Sequence, residues 1–247
     1  MRRASSLSRW LAGASLVLAA GMAQAAVSVV VPGDANPWLA GMPDGANASN
    51  GDLAPAQSPV LISGLPWVAG SAVMFQSVVG AVSYAGTCPS VSNCFGPDGD
   101  VLMTDFNYDT RSLLGLQGGE NGIGNIKAPL SSLVGVFLGA AQPNLSAVPA
   151  ELDFNDSAIG IGFASLSPGL KQVFFIGDGL GAGGVMQSFI VPDGATRLYL
   201  GTMDGFGWTG NNGAFTLDVS AVPEPAAWLL SLAGLALLGL RRTRQRG

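Results

Sequence analysis

The chain of 247 residues contains no histidine, only two cysteines, and 11 basic against 16 acidic residues, which gives a net charge of −5. The missing histidine excludes serine–histidine and cysteine–histidine catalysis as well as histidine-ligated metal sites. Two cysteines are too few for a four-cysteine zinc site, and so few basic residues cannot form a surface that binds nucleic acid.

The first 25 residues have the three parts of a secretory signal peptide. Basic residues Arg2, Arg3 and Arg9 precede an apolar run over 10–20, and a small-residue cleavage sequence, Ala-Gln-Ala, ends at Ala25. The apolar run is shorter than the roughly 20 residues that a membrane-spanning helix needs. We therefore predict that residues 1–25 form a signal helix that is removed on export.

Residues 26–222 alternate short apolar or β-branched runs with clusters of Gly, Pro, Asn and Asp, and they show no long helical periodicity. This pattern is typical of an all-β fold, and we predict a single β-sandwich or jelly-roll domain. The segment 34–56 is poor in aliphatic residues and is predicted to lie on the surface. The predicted strands are Val27–Val31, Pro59–Ser63, Ala72–Ser83, Leu133–Leu138, Ala158–Ala164, Gln172–Ile176, Met186–Val191, Arg197–Gly201 and Ala214–Ser220.

The two cysteines, Cys88 and Cys94, are separated by five residues. In an exported protein such a pair is predicted to form a disulfide. The closed loop either holds a binding loop in shape or simply staples a long connection.

A glycine-rich loop between the last two predicted strands concentrates oxygen donors, namely Asp204, Asn211 and Asn212. Glycines allow such a loop to fold tightly and to turn backbone carbonyls inward. A carboxylate, two amide oxygens and backbone carbonyls are the hard ligands that Ca²⁺ takes. Loops of this composition are also common as plain turns.

The C-terminal 25 residues, 223–247, again have three parts. Pro223-Glu224-Pro225 precedes an apolar run over 226–240, and a cluster of arginines follows. As a helix, this run is about 22 Å long, short of the roughly 30 Å hydrocarbon core of a membrane. The arginines are expected to stay cytoplasmic, which leaves the preceding domain outside.

This C-terminus resembles the PEP-CTERM sorting signal of Gram-negative bacteria. The resemblance rests on Pro223, Glu224 and Pro225 together with the hydrophobic helix and the arginine-rich tail. It implies recognition by exosortase, a membrane protease-transpeptidase, and transient anchoring in the inner membrane. It also implies delivery to the cell surface in organisms that make exopolysaccharide.

The glycine-rich loop resembles the calcium site of PA-I-type galactophilic bacterial lectins, which are small β-sandwiches of the galactose-binding-domain-like kind. Asp204, Asn211 and Asn212 match that family's side-chain ligands, and Trp208 matches its carbonyl ligand. A carbonyl corresponding to Tyr84 supplies a further ligand in the lectins. The resemblance implies Ca²⁺ at these five residues, with carbohydrate bound at Asp204, Asn211 and Trp208.

Two departures from the lectin pattern affect the expected sugar site. The lectins place a histidine against the sugar, and this chain has none. Trp208 stands where they have threonine. The exposed face of Trp208 or Phe206 could stack on a sugar ring, or the aromatic side chain could belong to the core.

Charge and motif together lead to three hypotheses about function. Seven of the 11 basic residues but only one acidic residue lie in the two ends, so residues 26–222 carry 15 acids and 4 bases, a net charge of −11.

We expect no enzyme and no nucleic-acid partner, but a surface-sorted, calcium-dependent protein that binds exopolysaccharide or glycans. The alternative is a structural matrix protein without sugar affinity. A third possibility, glycoside hydrolysis, would need a carboxylate pair from Asp98, Asp100 and Glu151.

Overall fold

The computed structural model describes residues 25–48, 51–89, 93–100, 119–155 and 158–222, and this part of the chain is all-β. Its helical segments include short 3-10 turns at Pro37–Leu39, Pro143–Leu145, Ala182–Gly184 and Trp208–Gly210. The strands are β1 (Ala25–Pro32), β2 (Val60–Leu61), β3 (Ala72–Ser83), β4 (Cys94–Phe95), β5 (Ile126–Lys127), β6 (Leu133–Leu138), β7 (Leu152–Asp153), β8 (Ser165–Leu166), β9 (Val173–Phe175), β10 (Ser188–Ile190), β11 (Arg197–Thr202) and β12 (Asn212–Val222).

The strands form two main sheets. In the six-stranded sheet the order is β1-β12-β3-β10-β8, and β4 pairs with the end of β3. In the four-stranded sheet the order is β2-β11-β6-β9, while β5 and β7 form a separate parallel pair. The long strands β3 and β12 pair antiparallel along their length, from Asn212 opposite Ser83 to Val222 opposite Ala72.

The hydrophobic core lies between the two main sheets. Phe174 of β9 packs on Phe189 of β10, with 5.4 Å between the ring centroids, so the contact joins the four-stranded to the six-stranded sheet. Phe75 of β3 meets the same Phe189 ring edge-on at 5.0 Å. Two sheets that face each other across one core confirm the all-β prediction and agree with a β-sandwich. Jelly-roll connectivity of the lectin kind stays a prediction.

The predicted surface segment 34–56 is instead partly buried. Trp38, Leu39 and Ala40 are at most 5% exposed, and Asp52 is fully buried. The short 3-10 turn at Pro37–Leu39 contacts β6 and β11 and so covers the four-stranded sheet. The surface prediction is wrong for 35–40, because the burial of Trp38 and Leu39 removes enough apolar area from water to pack these residues against the sheet, while most described residues of 41–56 are exposed or half-buried.

The predicted strand Ala158–Ala164 is also absent. The chain turns there, since the amides of Ala158 and Gly160 both donate to the Asn155 carbonyl. The side chain of Gln187 donates to the carbonyls of Ile161 and Phe163, which takes the place of ladder hydrogen bonds. The strand in this region is the two-residue β8, which pairs in parallel with β10.

Several predictions concern residues that the structure does not describe. These are residues 1–24 of the predicted signal helix 1–25, the sorting motif Pro223-Glu224-Pro225 and the apolar run over 226–240. Within the described ranges, no helix has the length and apolar character needed to cross a membrane.

Candidate functional site

The predicted calcium loop connects β11 to β12 at one end of the sandwich. β11 ends at Thr202 opposite Leu133, and β12 begins at Asn212 opposite Ser83. Tyr84 follows Ser83 directly, so the register brings its backbone beside the asparagine pair. Gly213 permits this approach because its φ is +92° and a Cβ there would overlap the Ala81 carbonyl.

Asp204 is the central carboxylate of the loop and is 7% exposed. Its Oδ1 accepts hydrogen bonds from the backbone amides of Gly205 and Phe206, the second at 3.1 Å. Burial raises the pKa of Asp204 to about 6, opposed by these amides and by a hydrogen bond from the Asn211 side chain, while the charge of Asp52 raises it further. At neutral pH the carboxylate is therefore ionised at a desolvation cost.

Asn211 contributes a buried amide oxygen that has no hydrogen-bond partner among the described residues. The residue is 9% exposed, its Nδ2 donates to the Gly33 carbonyl at 3.2 Å, and its Oδ1 is unsatisfied. Reversing the amide would turn the oxygen towards the Gly33 carbonyl and the Asp204 carboxylate, which are both acceptors. The orphan oxygen beside a buried carboxylate therefore belongs to the native arrangement and fits a cation.

Trp208 lies in the core rather than on the surface. Its ring is 1% exposed, packs against Trp38 with 5.5 Å between centroids, and donates from Nε1 to the Thr202 carbonyl at 2.9 Å. The Trp208 carbonyl accepts the Asn211 amide at 2.9 Å, which leaves a second lone pair. The accessible aromatic side chain of the loop is Phe206, which is 45% exposed.

The remaining predicted residues lie around the same end of the molecule. Asn212 is exposed, and Tyr84 stacks on Phe95 of β4 with 6.0 Å between ring centroids. Cys94, which precedes Phe95, is joined to Cys88 by a disulfide. The disulfide loop therefore neighbours the tyrosine whose carbonyl is a predicted ligand.

Sequence reasoning missed Asp52, the fully buried carboxylate of the segment that covers the four-stranded sheet. Its oxygens accept hydrogen bonds from the Asn36 side chain at 3.0 Å, from the backbone amides of Trp208 and Thr209 at 2.8 and 3.2 Å, and from the Thr209 hydroxyl at 2.8 Å. The sequence around it, Asn-Gly-Asp, is typical of an exposed turn and gave no signal of burial.

Two of the carboxylates considered for hydrolysis, Glu151 and Asp98, have different partners in the structure. Glu151 forms a salt bridge with Lys127 at 3.4 Å. Asp98 lies beside Asp178, whose backbone amide it accepts at 2.9 Å. Burial raises the pKa of Asp98, the Asp178 amide opposes this, and the charge of Asp178 adds to it. No cluster of three or more acidic or cysteine side chains suited to a metal occurs in the described ranges.

The basic residues of the described chain are all engaged away from the loop. Lys127 pairs with Glu151 and Asp153, Lys171 donates to backbone carbonyls that include that of Ala147 at 2.6 Å, and Arg197 donates to those of Gly139 and Ala141. Both salt bridges found among described residues involve Lys127. Among the described residues, therefore, no base pairs with the carboxylate of Asp52 or of Asp204.

Comparison with models of known protein families, with curated proteins and with solved structures gave no match to this chain.

Proposed function

We propose that the protein is an exported, exosortase-sorted cell-surface protein that binds carbohydrate in a calcium-dependent manner, with exopolysaccharide or surface glycans as its ligands. The observation that carries the proposal is the buried pair formed by the Asp204 carboxylate and the unpartnered Asn211 Oδ1. Among the described residues this amide oxygen has no donor and this carboxylate has no basic partner, so both lower their energy when a cation binds.

The donor chemistry of the loop suits Ca²⁺ better than a transition metal. The candidate ligands are the side-chain oxygens of Asp204, Asn211 and Asn212 and the carbonyls of Trp208 and Tyr84. All are hard oxygen donors, and no histidine or free thiolate is available. Bound Ca²⁺ would supply open coordination positions that sugar hydroxyls can complete.

The burial of Trp208 changes where a sugar would lie. A ring that is 1% exposed cannot offer a stacking face, so Phe206 takes that role in our proposal. Carbohydrate contacts then come from the coordination shell at Asp204 and Asn211 and from the exposed Phe206 ring.

A structural matrix protein is the second candidate, and the same burial of the Trp208 ring favours it. In that case Ca²⁺ would stabilise the loop, and no carbohydrate would complete its coordination shell. The two candidates share export and sorting, which rest on the signal peptide and on the motif Pro223-Glu224-Pro225.

Glycan-array binding by the full chain separates these candidates. We expect binding in calcium that is lost in EDTA and in Asp204→Ala but retained in Asp193→Ala, which removes an exposed carboxylate from a turn beside Gly139, past the far end of β6. Binding that persists in EDTA would show the calcium mechanism to be wrong. Stabilisation by calcium without any glycan binding would support the matrix protein.

A further inference from the structure

Asp52 joins two parts of the chain that are 156 residues apart. It lies in the segment 34–56, called here the covering segment, yet three of its four hydrogen-bond donors belong to Trp208 and Thr209 in the candidate calcium loop. The fourth, Asn36, also caps the 3-10 turn at Pro37–Leu39 through its own Oδ1. The carboxylate thus ties the covering segment to the loop.

One of these bonds bears directly on a candidate ligand. The Thr209 amide, which donates to Asp52 Oδ1 at 3.2 Å, belongs to the same peptide group as the Trp208 carbonyl. A trans peptide holds its N–H and C=O in one plane and pointing in opposite directions. Fixing the amide on Asp52 therefore turns the Trp208 carbonyl away from Asp52 and towards Asn211, whose amide it accepts at 2.9 Å.

The neighbouring glycine makes such an anchor necessary. Gly207 adopts φ +102°, and the turn Trp208–Gly210 that follows is a single 3-10 turn without a side-chain cap. A short turn entered through glycine has little intrinsic preference for one orientation. In this structure the Asp52 carboxylate, held without exposure to water, supplies that orientation.

We propose that Asp52 is a positioning residue for the calcium site, which orients the Trp208 carbonyl ligand through the Thr209 amide and the Thr209 hydroxyl. This inference rests on the proposed calcium site. It adds a residue from a remote segment to the site, and it gives that buried carboxylate a role beyond packing.

A purely structural role for Asp52 predicts a different outcome. In that case replacing the residue lowers the melting temperature, but the folded variant binds cation as tightly as the wild type. A positioning role weakens binding even well below the melting temperature, because the carbonyl is no longer held. Affinity measured on folded Thr209→Val, which keeps the charge of Asp52, therefore discriminates between them.

The test is a titration of the full chain with Tb³⁺, a luminescent substitute for Ca²⁺ that the indole of Trp208 can sensitise. Asp52→Asn keeps the shape but cannot accept all four donors, so we expect about tenfold weaker binding. Thr209→Val removes the hydroxyl bond and keeps both carboxylates, and about threefold weaker binding is expected. Asp193→Asn, which makes the same charge change at a distant turn, should bind like the wild type.

The outcomes separate this inference from the proposed function. If the wild type gives no sensitised luminescence, the calcium site is wrong and the role of Asp52 falls with it. If the wild type binds and both variants bind equally well, the site stands and the positioning role is overturned. Should Asp52→Asn fail to fold, Thr209→Val decides alone, and unchanged affinity in that variant overturns the inference.

Discussion

Two groups of carboxylates in this protein lie in opposite electrostatic surroundings. On the β5–β7 pair, Lys127 lies 3.1 Å from Asp153 and 3.4 Å from Glu151. At the β11–β12 loop, Asp204 and Asp52 are buried and form no salt bridge with a described base. Lys127 therefore compensates part of the charge of Asp153 and Glu151, whereas no described base pairs with Asp204 or Asp52.

The pKa directions reflect this contrast. Partial desolvation of Asp153 tends to raise its pKa, but the Asn155 amide and Lys127 outweigh it and lower the pKa. The hydrogen bond to Asp153 in turn raises the pKa of Lys127. At Asp204, burial dominates and the pKa rises to about 6. A buried carboxylate whose pKa is raised by desolvation is a candidate for a functional role rather than a stabilising one.

Of the substitutions in the two regions, Asp204→Asn is expected to change the free energy of unfolding most. Asparagine can still accept the Gly205 amide but carries no charge to desolvate, so the cation-free protein should gain about 2 kcal/mol at pH 7, after the loss of one hydrogen bond is subtracted. The same variant should lose all stabilisation by calcium. Urea unfolding with and without calcium measures both effects.

The control for this variant is Asp193→Asn, which should leave the unfolding free energy within about 0.5 kcal/mol of the wild type. A loss of cation-free stability in Asp204→Asn would contradict the claim that the buried charge is costly. Unchanged stabilisation by calcium in that variant would remove Asp204 from the site.

The free energy of unfolding should depend on pH in opposite ways at the two groups of carboxylates. A folded-state pKa of about 6 against an ordinary value of 3.8 means that the folded protein holds the Asp204 proton more tightly. Protonated Asp204 therefore stabilises the folded state. This contribution is fully present below pH 3.8 and is lost as the pH rises through about 6, which lowers the free energy of unfolding by roughly 3 kcal/mol. Asp153 acts in the opposite sense, since its lowered pKa removes stability as pH falls below its ordinary range.

This pH dependence can be measured by urea unfolding in metal-free buffers between pH 4 and 7. The difference between wild type and Asp204→Asn isolates Asp204 from other titrating groups such as Asp98, whose pKa is also raised. We expect this difference to grow as the pH rises towards 6 and to be constant above it. Parallel curves for the two proteins would mean that Asp204 titrates normally.

The smallest change in stability is expected from a substitution on the β5–β7 pair. Lys127→Met removes the cation from Asp153 and Glu151, whose side chains are 31% and 38% exposed. Pairs this close to solvent contribute about 0.5–1 kcal/mol. We expect a loss of that size, measured by thermal unfolding, and an unchanged calcium affinity. A large change in calcium affinity would show that the two regions are coupled.

The limits of the long strands could be predicted from the sequence, because turn-forming residues mark where these strands begin and end. β3 and β6 were predicted with the observed limits, since apolar runs end there at turn-forming residues. The two-residue strands β5, β7 and β8 carry no such pattern, and their pairing is fixed by tertiary contacts. The strand predicted over 158–164 failed because a side chain, that of Gln187, satisfies its carbonyls.

The candidate site could be predicted only where its residues are close in sequence. Asp204, Asn211 and Asn212 lie within one loop, so composition was enough to single them out. Asp52 could not be found in this way, because its partners at 208 and 209 are 156 and 157 residues away. The burial of Trp208 was equally hidden, since it depends on packing against Trp38 from the same remote segment.

The claim that the loop at Asp204 binds Ca²⁺ is tested most directly by thermal melting of the full chain in EDTA and in 1 mM calcium. A site with roughly micromolar affinity adds about 4 kcal/mol at that concentration, and the midpoint should rise accordingly. Magnesium at the same concentration should give a smaller rise, because an irregular set of protein oxygens suits the larger ion. An identical midpoint in EDTA and in calcium would contradict the account.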